Sequence, residues 1–167
     1  MIDYNALTKI NCGRNTCVFA IDGDSTKIVK IGRIFKNEKA AQNHIKAAKH
    51  DLATPVYYCM LQVPIKDLPE HIIKQLISAK GETIGYTYGT VDIAIMARAE
   101  PVLSDNTALY SSAATKKQLK LRSSAEDEYA TIIDQLYKEL LTLGIAWLDC
   151  HVGNLGVYND YYVVTDF

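Results

Sequence analysis

The chain has 167 residues, 49% of them apolar and 22% charged, with a formal net charge of −1. That is enough to bury a core, as one domain or as two small lobes. The near-neutral balance argues against a global basic field for non-specific nucleic-acid binding, and against the acidic excess that keeps chains disordered.

The four cysteines, Cys12, Cys17, Cys59 and Cys150, form no C-x-x-C pair and have no zinc-site spacing, so they read as reduced thiols. Met1-Ile2-Asp3-Tyr4-Asn5 is polar and acidic where a secretory signal is basic and then apolar. The longest uncharged stretch, 52–65, is too short to span a bilayer and is interrupted by Pro55 and Pro64. These features point to a cytoplasmic protein that does not enter a membrane.

In chain order, Cys17-Val18-Phe19-Ala20-Ile21, the turn Asp22-Gly23-Asp24 and Lys27-Ile28-Val29-Lys30-Ile31 read as a β-hairpin. A helix is predicted over 37–50, with Ala41, Ile45 and Ala48 on one face, ended by Pro55. A strand over 56–63 follows, and then an amphipathic helix over 69–80 that stops at Gly81. Residues 91–97 read as a buried strand. Segment 103–123 reads as a loop and a helical turn or two, with Lys116, Lys117, Lys120 and Arg122 on a solvated face.

The strongest pattern is a helix over 124–143, capped by Ser124 and followed by Gly144. Glu126, Asp127 and Glu128 suit the positive end of its dipole, and Tyr129, Ile132, Ile133, Leu136, Leu140 and Leu143 form its inward stripe. Two short strands, 155–158 and 161–165, are joined by the turn pair Asn159-Asp160.

Between that helix and the last strand, Asp149, Asn154 and Asp166 fall on a loop and a strand end. Phosphoryl transfer from ATP needs oxygen ligands that hold magnesium against the phosphates and a carboxylate beside the attacking hydroxyl. Asp149-x-His151-x-x-Asn154, followed by Thr165-Asp166-Phe167, resembles the catalytic loop and the metal-binding D-F-G of the protein-kinase-like superfamily. That superfamily includes aminoglycoside and other small-molecule phosphotransferases alongside protein kinases, and His151 is closer to the small-molecule branch.

The resemblance implies a bilobal α+β fold, with an antiparallel N-lobe over residues 1–97, a hinge at 98–101 and a short, mainly helical C-lobe over 102–167. It implies ATP and Mg2+ as cofactors, Asp149 and His151 in catalysis, and Asn154 and Asp166 as metal ligands. Asn11-Cys-Gly13-Arg-Asn-Thr16-Cys-Val18 is similar to a phosphate loop that keeps one glycine, which assigns Gly13, Thr16 and Val18 to the nucleotide. Lys30 would neutralise its phosphates, with Glu38 as partner and Lys27 as the alternative cation. Met96, Ala97 and Arg98 fall where the hinge binds adenine.

The resemblance runs from Lys9 to Phe167 and stops at Asp-Phe, short of the parts that bind the acceptor. It leaves two readings: transfer to a protein or small-molecule hydroxyl, or a kinase-like protein without turnover that works by binding a partner. Nucleic acid is disfavoured as a partner, and self-association or a protein partner is expected to cover the short C-lobe.

Overall fold

The computed structural model describes residues 1–103 and 113–167; the expected loop at 104–112 lies outside the described residues. The class is α+β, with a five-stranded antiparallel sheet and a second sheet of three strands. The chain divides into two compact units, residues 1–42 with 55–98, and residues 43–54 with 99–167.

The first unit is built on strands β1 (Leu7–Cys12), β2 (Thr16–Ile21), β3 (Asp24–Gly32), β4 (Val56–Pro64) and β5 (Thr90–Ala97), in the order β1-β2-β3-β5-β4. The predicted hairpin is β2–β3, turning at Gly23 with φ +82°. Strand β1 has Thr8, Lys9 and Asn11 among its apolar residues, which hid it from a pattern reading; pairing with β2 defines it.

Alternation splits the sheet into two faces. Cys17, Phe19, Val29, Ile31 and Ile93 pack on one side with Leu68, Ile72 and Leu76, which belong to the short helix α2 (Glu70–Gln75) and its flanks. Ile28, Ala94 and Met96 pack on the other with Ile34, Phe35 and Ala41, the last from helix α1 (Glu38–Ala48). Gly32 closes β3 at φ +148°. A Cβ there would stand 2.3 Å from the Asn15 carbonyl, so only glycine fits.

Several expectations are corrected. Helix α2 stops at Gln75, because Leu76 turns inward to full burial and the Ser78 hydroxyl then accepts from the Lys80 and Glu82 N–H groups, opening a loop. In α1 Ile45 is exposed, and the buried positions are Ala41, His44 and Ala47. This shift of the buried face by one residue brings His44 Nε2 to 2.8 Å from the Thr54 carbonyl, a bond isoleucine cannot make. Cys12 and Cys17 are joined in a disulfide, since the β1–β2 register sets them directly opposite each other. That bond runs against the expectation of four reduced thiols, and with it against the cysteine argument for a cytoplasmic location.

The second unit is organised by helix α3 (Lys116–Thr142). It begins before the predicted Ser124, because Thr115 and Gln118 form a reciprocal capping box; Ser124 lies inside the helix. The helical turn or two expected around Lys116, Lys117, Lys120 and Arg122 is present, as the first two turns of this same helix. The predicted stripe holds, with Tyr129, Ile132, Ile133, Leu136, Leu140 and Leu143 packed around Trp147, Ile145, Leu155 and Val164. Strand β6 (Glu100–Pro101) pairs with β7 (Leu155–Tyr158), which forms a hairpin with β8 (Tyr161–Val164). Asn159 and Asp160 make its turn, both at positive φ. No helix among the described residues is long and apolar enough to cross a membrane.

Candidate functional site

The segment from Asp149 to Phe167 lies wholly in the second unit. After α3 the chain turns at Gly144 (φ +73°), buries Ile145 and Trp147, and emerges at Asp149, whose side chain is 68% exposed. A 3-10 turn, Val152–Asn154, follows, capped by His151, whose Nδ1 accepts from the Gly153 N–H at 3.0 Å. His151 Nε2 stands 3.3 Å from Asp149 Oδ1 and 3.2 Å from Asn154 Nδ2.

Asn154 closes the loop. Its Nδ2 donates to the Asp149 carbonyl and to Asp149 Oδ2, each at 3.0 Å. That assigns the amide nitrogen to the loop and leaves the amide oxygen as the atom able to meet a cation. The Asn154 carbonyl accepts from the Thr165 N–H at 3.0 Å, which ties the turn to the residue before Asp166. Asp166 is fixed through its main chain, its carbonyl accepting from Trp147 Nε1 at 3.1 Å, while Oδ1 accepts from the Phe167 N–H. Phe167 in turn meets the buried His44 ring edge-on at 5.1 Å. Asp149, His151 and Asn154 thus form one bonded group, and the Asn154–Thr165 bond carries Asp166 beside it.

One contributor comes from outside the motif. Glu126 of α3 accepts from the Val152 N–H with both carboxylate oxygens at 3.3 Å. It also borders a groove of about 400 Å³ beside Ala130, Ile133, Asp134, Tyr137 and Cys150. Burial raises the Cys150 thiol pKa, and the negative charges of Glu126, Asp134 and Asp149 push it the same way.

The remaining predicted residues lie in the first unit. Val18, Lys30 and Ala94 are cross-strand partners, so Lys30 lies in the row of Ala94, on the face opposite α2. Lys30 is 9% exposed, whereas its alternative, Lys27, is paired with Asp24 at 3.0 Å. Glu38 opens α1 and accepts from Gln42 Nε2 at 3.2 Å. It is the predicted residue that borders a cavity of about 640 Å³ near Arg14, Arg33, Lys36 and Asp92.

The N–H groups of Gly13, Ala97 and Arg98, positions expected to meet the nucleotide, are engaged within the first unit. Gly13 N–H donates to the Thr16 carbonyl, and Thr16 Oγ1 donates to the Arg33 carbonyl. The Ala97 N–H donates to Pro55 and the Arg98 N–H to Thr26. Met96 is buried in the α1-side core.

Two residues carry weight that the pattern reading missed. Asp92 is 8% exposed inside β5; Oδ2 accepts from the Phe35 N–H and Oδ1 from the Gln62 N–H, both at 3.1 Å. An acid among Val, Ile and Ala was its available signal, since buried carboxylates are held by donors. Glu126 had no such signal.

The donor set suits magnesium, which takes hard oxygen ligands and keeps room for phosphate: an amide oxygen of Asn154 and the Asp166 carboxylate on adjoining backbone. No group of three or more His, Cys, Asp or Glu arranged for a metal occurs among the described residues. Compared with protein-family models and with curated proteins, the chain finds no match.

Proposed function

We propose that this chain is an ATP-dependent phosphotransferase of bilobal, kinase-like architecture, acting on a hydroxyl of a protein or a small molecule. The observation that carries the reading is the bonded group of Asp149, His151 and Asn154 on a capped 3-10 turn, coupled through Thr165 to Asp166. Loop residues that serve only as turn formers have no reason to converge on one exposed carboxylate.

In this reading Asp149 accepts the acceptor's proton as its oxygen bonds to the γ-phosphorus and the bond to the ADP oxygen breaks. His151 and Asn154 hold the Asp149 carboxylate in place. Asn154 and Asp166 would hold magnesium, which would neutralise phosphate charge when bound.

The second reading, a kinase-like protein that binds a partner without turnover, draws on the engaged N–H groups of Gly13, Ala97 and Arg98. Those donors are the ones the resemblance gives to nucleotide. Incubation with γ-labelled ATP and magnesium, alone and with cell extract, separates the two. Transfer that Asp149→Ala and Asp166→Ala each abolish supports the enzyme, and nucleotide binding with no transfer supports the second reading. Absence of both binding and transfer removes the enzyme reading.

A further inference from the structure

We propose that Glu126 is a positioning residue for the catalytic loop, setting where Asp149 and Asn154 stand by holding the main chain between them; the proposal rests on the phosphotransfer reading. It starts from the donors of the turn. Gly153 N–H is taken by His151 Nδ1 and Asn154 N–H by the His151 carbonyl, so the loop satisfies these two by itself. Val152 is fully buried, and water cannot take its N–H. The acceptor comes from α3, where Glu126 offers both oxygens at 3.3 Å.

A carboxylate makes this a charge-assisted bond, stronger than an amide or hydroxyl would give. The helix dipole does not account for Glu126, because α3 starts at Lys116 and Glu126 lies well inside the helix. Packing does not account for it either, since the apolar cluster of this unit is built from Leu136, Leu140, Trp147 and their neighbours. Val152 has His151 on one side and Gly153-Asn154 on the other, so releasing its N–H frees the residues that carry both bonds to Asp149. Misplacing a reacting group by about 1 Å costs on the order of a hundredfold in rate.

The test uses the full chain with Glu126→Ala and Glu126→Gln. Val152 amide exchange is read by NMR, and kcat and KM for ATP are read in the labelled-ATP assay. In the alanine variant Val152 exchange accelerates, kcat falls about tenfold or more, and KM for ATP changes little. The glutamine variant, which keeps an acceptor, recovers most of both. Unchanged Val152 protection in Glu126→Ala overturns the proposal, and so does accelerated exchange with wild-type kcat. If the wild-type chain transfers no phosphate, the phosphotransfer reading fails separately. The positioning claim is then judged on the Asn154 side-chain amide resonance, which must shift in Glu126→Ala and return in Glu126→Gln; a resonance that stays put overturns it.

Discussion

The indole N–H of Trp147 donates to the main-chain carbonyl of Asp166 at 3.1 Å, which joins the approach to the Asp149–Asn154 loop to the end of β8. Trp147 is 2% exposed, so this donor has little water to turn to. Trp147→Phe keeps an aromatic ring in the core and removes the donor, at a cost of about 0.5–1.5 kcal/mol for the lost bond. Trp147 is the single tryptophan, so unfolding in urea should be followed by circular dichroism. A midpoint equal to wild type would mean that the bond contributes nothing.

Asp92 is the corresponding device in the first unit. One carboxylate receives the N–H of Phe35, just before α1, and that of Gln62, a residue at φ +56° where β4 bulges. Asp92→Ala leaves two N–H groups without their acceptor and should cost about 2–6 kcal/mol, at about 1–3 for each unsatisfied group. Asp92→Asn retains one acceptor and should fall between. Equal stability of the alanine and asparagine variants in denaturant titration would refute the two-acceptor account.

Elements whose pattern is repeated over several turns or alternations could be read from the sequence. The β2–β3 hairpin, the β5 strand and the stripe from Tyr129 to Leu143 follow directly from periodicity. Failures arose where one polar side chain overrules the pattern. Thr115 and Gln118 start α3 early by capping it, Ser78 ends α2 early, and His44 displaces Ile45 from the buried face of α1 through its bond to Thr54. In the candidate site, the spacing from Asp149 to Asn154 was visible because it is local. Glu126 and Trp147 were not, because their partners stand 26 and 19 residues away and no rule of spacing links them.

Asp24 gives the fold one pH-dependent contribution with a defined sign. Its carboxylate accepts from the Thr26 N–H and hydroxyl and from Lys27 Nζ, and the Thr26 hydroxyl bond is the main reason its pKa falls from 3.8 to about 2. A folded pKa below the unfolded one contributes stability that is present above pH 3.8 and is lost as pH falls through about 2. The group is exposed, so the effect is small. Asp24→Asn should lower the urea midpoint at pH 6 and converge with wild type near pH 2. A difference that persists unchanged at pH 2 would assign the effect to something other than the charge.

Cys150 reports on the acidic surroundings of the Asp149–Asn154 loop. Burial raises its thiol pKa above 9.0, and Glu126, Asp134 and Asp149 add negative charge that disfavours the thiolate. Alkylation by iodoacetamide needs the thiolate, so the rate at neutral pH should be lower than for an unperturbed cysteine, with a midpoint displaced to higher pH. Peptide mapping separates this signal from Cys59, the other free thiol. Removing one of the three charges reverses part of the effect: Asp134→Asn should move the Cys150 midpoint down, and Asp149→Asn should act in the same direction. Glu126→Gln should also lower it, though this variant touches the Val152 bond as well, so the two Asp variants isolate the charge. A Cys150 profile that none of the three substitutions moves would leave burial as the whole cause, and would mean that water screens the three carboxylates from the thiol.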